Sequence, residues 1–411
     1  MPDHEPKTSQ PRLKRALTLP YIILYGLGVT VGAGIYVLVG DVIALSGNHA
    51  PISFLIASLV MLLPAACFAE LTGRMPFAAA EAHFVKAGFK SSTLFLVVGL
   101  GVSAVGIVSS SAIAHGASGY IVELVDLPYI LVLAGVIVMS GIVACFGIRE
   151  SILFAGVLTL VEIGGLVLLV IGAIWSGADL GGQAVKAVPT SFSPVLWSGI
   201  FASGLLSFFA FIGFEDIDSI AEETVNPQKT LALGIFVTLG LTLVLYTFVV
   251  LAALATVSVD ELSHSRAPLA IVFDRTTGLS PVTITLIAIL ATVNGIIVQI
   301  IMAGRVIYGL ANEGALPAFL ARVNARTHTP VVATTLATLI ALTLALGFTI
   351  TALAEWTSMI TLVIFVLVCL ALARIKRRKD PAPEGTFIVP PWVPYGGALA
   401  TLLLLVLGLT A

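Results

Sequence analysis

Glu162 stands in LTLVEIGGLVLLV, residues 158–170, a run with no other charge. A carboxylate at such depth in a membrane costs upward of about 2.5 kcal/mol unless it faces a cavity or a partner. It can carry a proton or ligate a cation, or it can be a structural carboxyl bonded to a neighbouring helix. Glu215 is a second such group, in FFAFIGFEDIDSI, residues 208–220, with Asp216 and Asp218 just after it. It flanks an opened helix or is a solvated helix end. A third kind of chemistry comes from main chain. Leu24 to Gly40, LYGLGVTVGAGIYVLVG, carries Gly26, Gly28, Gly32, Gly34 and Gly40 inside an apolar segment. Glycine is less favourable than alanine in a helix interior by roughly 1 kcal/mol. The crowding from Gly28 to Gly34 points to a helix that opens mid-membrane. Freed backbone groups are tolerated there only where they line a protein cavity. The half-helix after the opening turns its amides and positive dipole end to that cavity, where an anionic group can sit. The freed carbonyl of Thr30 could accept from an ammonium. Close helix packing through small residues is the alternative.

The elements that must position these groups are membrane helices. Of 411 residues, 58% are hydrophobic and 10% charged, and the mean hydropathy is +1.10. Soluble domains carry about 25% charged residues, so this is an all-α polytopic membrane protein. Eleven apolar segments are long enough to span, near 20–45, 51–72, 92–122, 128–147, 152–176, 195–220, 231–256, 281–311, 331–349, 351–373 and 391–411. All of the 20 Lys and Arg except Lys186, Arg266 and Arg275 fall on one side of that layout. The positive-inside bias places the N-terminus, with a tail over 1–18, in the cytoplasm and Ala411 outside. Segments one and six are both glycine-punctuated, the sixth by Gly204 and Gly213. Interrupted segments in corresponding positions of two halves point to a transporter site at the midplane, which favours the opened helix over simple packing.

Other polar groups have plainer readings. His115, in the SSSAIAHG run of the third segment, reads as a hydrogen-bonded structural group. Asn294 and Gln299 in the eighth read as interhelical hydrogen bonds, with cavity lining as the lesser reading. Cys67, Cys145 and Cys369 read as buried thiols rather than a disulfide or metal site. The RIKRRKD cluster, residues 374–380, reads as a topology anchor, with a lipid headgroup site as the alternative. No phosphate loop, HExxH or GxSxG elbow is present, which argues against an enzyme. Nothing points to a cofactor, a metal or nucleic acid.

Four stretches together resemble the amino acid–polyamine–organocation superfamily, in its bacterial amino acid permease branch. They are Val31-Gly-Ala-Gly-Ile-Tyr36, Phe208 to Pro227, Asn294 to Pro330, and Ala69-Glu-Leu-Thr-Gly-Arg-Met-Pro76. The resemblance runs from about residue 16 to the end. It implies a leucine-transporter-type fold, with two inverted five-helix repeats over 19–176 and 195–373, a basic cytoplasmic loop over 374–390 and one further helix over 391–411. It also implies a substrate site between the two opened helices. There the substrate carboxylate would meet amides of Ala33, Gly34 and Ile35, and its ammonium the carbonyls of Thr30, Phe209 and Ile212. Gly32, Ala210, Phe211 and Gly213 complete the site, and Phe209, Phe211 and Phe214 either gate the side chain or pack the helices. Members commonly have twelve spans, and some proton-coupled relatives place a lysine where this chain has Glu162.

The expectation is a secondary transporter of amino acids in a cytoplasmic (inner) membrane, in contact with lipid and working by alternating access. Glu162 and Glu215 are its candidate coupling groups, for H+ or Na+. The rival readings are an amino acid or polyamine exchanger and a non-transporting membrane receptor.

Overall fold

Apolar runs broken by Gly, Pro and short polar turns fold into sixteen helices among the described residues. In the computed structural model these are 16–31, 34–75, 80–146 and 152–410, with main chain alone at 80, 152–155, 219 and 222. The helices are α1 (Leu19–Val31), α2 (Gly34–Ser46), α3 (Ala50–Arg74), α4 (Ala80–Phe89), α5 (Ser92–Val122), α6 (Tyr129–Phe146), α7 (Ile152–Trp175) and α8 (Leu180–Ala187). There follow α9 (Pro194–Phe209), α10 (Pro227–Thr256), α11 (Val259–His264), α12 (Pro268–Thr277), α13 (Val282–Asn312), α14 (Val331–Gly347), α15 (Ile350–Arg377) and α16 (Val393–Thr410). Among the described residues, eight stretches are long and apolar enough to cross a membrane, the first being the near-continuous Gly34–Arg74. Three shorter apolar helices, α1, α9 and α14, accompany them. The expected segments all find a helix, and two of the short ones, α1 and α9, lie beside the glycine-rich interruptions.

α5 packs on α13 and α15, α3 packs on α10 and α15, and the α1, α2 and α9 helices lie against this framework. Their shared interior is aromatic, with Phe54, Phe68, Phe208, Phe211, Phe214, Tyr246 and Phe365 fully buried. α6, α7 and α16 show the surrounding solvent an apolar face, including Leu131, Met139, Leu160 and Leu403. In a bilayer that exposure is the expected state of a helix flank.

On the Lys- and Arg-rich face a buried carboxylate ties the bundle together. Glu70, fully buried in α3, receives Arg74 Nε at 2.9 Å, Lys376 Nζ at 2.8 Å and the Val389 N–H at 2.8 Å. Nearby, Arg378 donates to the carbonyls of Ala87 and Gly88 at the end of α4. Arg378 also holds the exposed Asp380 carboxyl below the usual carboxylate range.

Three expectations change here. The basic stretch is not all loop: α15 runs on to Arg377, so Arg374, Lys376 and Arg377 form its last turn, where cations offset the negative dipole end. Cys67 and Cys369 are buried free thiols, but Cys145 is only half-buried. Gln299 is buried, yet its Oε1 has no hydrogen-bond partner.

Candidate functional site

The sixth segment opens where glycine permits it. α9 ends at Phe209, and the chain then turns tightly, with Phe211 N–H bonded to Phe208 O at 3.0 Å and Ile212 N–H to Phe209 O at 3.1 Å. Gly213 has φ +120°, a conformation that L side chains rarely adopt. A Cβ built there would also lie 2.9 Å from Val29 Cγ1. A 3-10 helix, Glu215–Glu223, continues the chain. Glu215 is buried, and its Oε2 accepts the Gly213 N–H at 2.9 Å. It caps the opening from within, so the solvated-end reading fails.

The first segment meets this turn directly. α1 ends at Val31 and α2 begins at Gly34. Gly32 and Ala33, with the roles expected of them, lie outside the described residues. A Cβ on Gly34 would overlap Ala210 Cα and lie 2.9 Å from Ala210 Cβ. Any side chain at 34 would push the two segments apart. Thr30, Ile35, Phe209, Ala210 and Ile212 are buried around that contact.

Tyr246 of α10 joins the two segments. Its hydroxyl lies 2.9 Å from both the Thr30 and the Ala210 carbonyl oxygens. Having one proton, it donates to one of them at a time. The Thr30 and Phe209 carbonyls, expected to meet an ammonium, already receive Tyr246 O–H and Ile212 N–H; each keeps a second lone pair. Sequence reading missed Tyr246, because one tyrosine in a long apolar helix reads as packing. Phe211 packs tilted against Tyr246 (centroids 5.3 Å) and edge-on to Phe54, while Phe214 lies edge-on to Phe68 and Phe365. Those two rings are arranged as helix packing.

Glu162 sits on α7 with 1% of its surface exposed, and neither carboxylate oxygen has a hydrogen-bond partner. Its backbone carbonyl accepts from Tyr36 Oη of α2 at 2.8 Å, which sets this turn of α7 against the first interruption. Thr30 Oγ1, also buried, has no partner either.

The third acidic group was not legible as one site. Glu81 at the start of α4 meets Glu215 and Asp216 around a small cavity beside Ile212. Burial pushes the Glu81 carboxyl up from its ordinary range. The cavity adjoins a larger vestibule of about 710 Å³, lined by Tyr25, Asp216, Asp218, Glu223, Arg305 and His328 among others. Among the described residues no three His, Cys, Asp or Glu converge as a metal site. His115 is structural as expected, bonded to Tyr129 Oη at 2.8 Å and to Ala345 O at 3.0 Å.

The comparisons with known proteins agree on one family. The amino acid permease family model matches residues 17–411. The vacuolar cationic amino acid transporter 2 of Arabidopsis thaliana is 31% identical over 396 residues, 91% of this chain and 62% of the plant protein. The branched-chain amino acid permease BcaP of Bacillus subtilis is 28% identical over 425 residues, 97% of this chain and 88% of its own length. A methylthioribose transporter of the same bacterium is 27% identical over 408 residues, covering 93% and 86%. The chain thus spans less than two thirds of the plant relative and most of the bacterial ones.

Proposed function

From the premise that the chain belongs to the amino acid permease family, we propose that it is a secondary transporter, not an enzyme, which moves amino acids across a membrane by alternating access. The observation that carries the reading is the opened turn from Ala210 to Phe214, packed against Gly34 and reached from one face through the vestibule. The substrate carboxylate takes the amides at the start of α2, Gly34 and Ile35, together with Ala33. Its ammonium takes the free lone pairs of the Thr30, Phe209 and Ile212 carbonyls. The relatives named above carry cationic amino acids, branched-chain amino acids and a thiosugar by their names, so the family alone leaves the side chain open.

The positive-inside bias makes the Lys- and Arg-rich face cytoplasmic, in an inner membrane, with the N-terminus on the same side. The vestibule, with Arg305 and the loop at His328, opens on that face. Gly34 against Ala210 and the Tyr246 bridge close the other way, so the conformation is inward-facing. Helices α1–α7 and α9–α15 then supply the two inverted repeats, and α16 is the further helix.

Glu162 is the proposed coupling group. It combines burial with two unpartnered oxygens on the turn of α7 that Tyr36 ties to α2, beside the first interruption. H+ and Na+ are distinguished by uptake of a labelled amino acid mixture into proteoliposomes under imposed gradients. Wild type should accumulate substrate under one gradient, and Glu162→Gln should bind substrate without accumulating it. Unimpaired accumulation by that variant would remove Glu162 from coupling. Accumulation only after preloading with amino acid would favour an exchanger.

A further inference from the structure

The cavity beside Ile212 has a volume of about 20 Å³. Its polar lining is Glu81, Glu215, Asp216, Gln299 and Thr361, drawn from α4, the 3-10 helix, α13 and α15. No Lys or Arg is in that lining. Each of the three carboxylate side chains is more than nine-tenths buried. Gln299, 7% exposed, adds an independent sign: its Oε1 is an acceptor with no donor. The Thr361 hydroxyl spends its proton on the Thr357 carbonyl at 2.9 Å, so only its lone pairs remain to be used. The lining therefore holds three buried carboxyl groups, no basic side chain, and acceptors on Gln299 and Thr361 that the fold leaves unused.

A fitting ligand group is cationic and rich in donors. A space of about 20 Å³ holds one water-sized group, since a single water occupies roughly 10–15 Å³ by the same measure. An ammonium has that size and three divergent donors, whereas a guanidinium is a broad plane with five. A bare metal ion needs donors converging at short range, and these carboxylates do not form such a group. The cavity also shares Ile212 with the substrate site and Glu81, Asp216 and Met302 with the vestibule, so it lies on the substrate's path.

We propose that this acidic nook is a specificity subsite. It receives the terminal ammonium of a substrate side chain, and it selects primary amines over guanidinium and over neutral side chains. The proposal rests on the transport reading above, because it takes the α-carboxylate and α-ammonium to be held at the opened helices.

Ornithine and norleucine test it, because they differ only by an ammonium against a methyl group. Unlabelled ornithine, lysine, norleucine and arginine are compared as competitors of labelled amino acid uptake in proteoliposomes. Ornithine or lysine should compete at least about tenfold better than norleucine, the size of one charge-assisted hydrogen bond. Arginine should gain no such advantage. Asp216→Asn and Gln299→Leu should each lower the ornithine-to-norleucine ratio, a ratio that a change in protein amount does not move. Equal competition by ornithine and norleucine, with uptake intact, overturns the nook and leaves the transport reading standing. Arginine competing as well as lysine overturns the size argument and the proposal with it. Absence of uptake and exchange for every amino acid removes the transport reading, and the nook falls with it.

Discussion

Glu70 and Glu162 are equally buried, at 0% and 1% exposure, and are treated in opposite ways. Glu70 receives a guanidinium, an ammonium and a backbone amide, and it stitches α3 to α15 and to the strand of chain before α16. Glu162, on α7 against the first interruption, receives nothing on either oxygen. Burial alone does not separate a structural acid from a working one. Partner satisfaction does: a carboxylate whose lone pairs are filled by the fold has nothing left to bind. The comparison places the satisfied carboxylate at the basic face and the unsatisfied one against the first interruption.

The largest effect should come from Glu70→Gln. It leaves Arg74 and Lys376 without their counter-charge and should cost about 3–5 kcal/mol, read as a lower unfolding midpoint in detergent. An unchanged midpoint would break the comparison. Glu162→Gln should show the reverse pattern, with full thermal stability and no gradient-driven accumulation. Loss of stability there would make Glu162 a second staple. Tyr246→Phe lies between the two, since the hydroxyl is a neutral bridge between the interrupted segments. It should cost about 1 kcal/mol and slow uptake severalfold without changing the coupling ion. The smallest effect belongs to Lys86→Ala at the exposed pair with Glu313, 3.2 Å apart, where less than about 0.5 kcal/mol is expected. A loss there as large as that of Glu70 would mean that burial is not what sets the scale.

Much of this was legible in the sequence because hydropathy and glycine spacing are local signals. The helices follow the apolar runs. Gly213 marked the opening in the sixth segment because no other residue takes φ +120° easily. Glu162 was conspicuous because a charge in an apolar run has few explanations. What was hidden depends on long-range contact. Glu70 lies near the end of a helix, and nothing local marks it as a tie until Lys376, over three hundred positions away, is brought to it. The nook needs Glu81, Asp216 and Gln299 from three distant elements, and none of them is unusual alone. Gln299 read as an interhelical hydrogen bond because an amide in an apolar helix usually finds one. The short helices α11 and α12 escaped notice because they are brief and their residues are mixed in character.

The chain ahead of α1 makes its own contact with the chain that continues the sixth segment past its 3-10 helix. Leu17 forms an isolated parallel bridge with Thr224: the Leu17 N–H donates to Glu223 O at 3.0 Å, and Val225 N–H donates to Leu17 O at 2.9 Å. The join is made by peptide groups, which every residue but proline carries in full. The side chains of Leu17 and Thr224 are buried beside the join, so a substitution there would disturb packing while leaving the peptide groups themselves in place. A mechanical link between the two interrupted segments thus passes through peptide groups that a side-chain substitution does not remove.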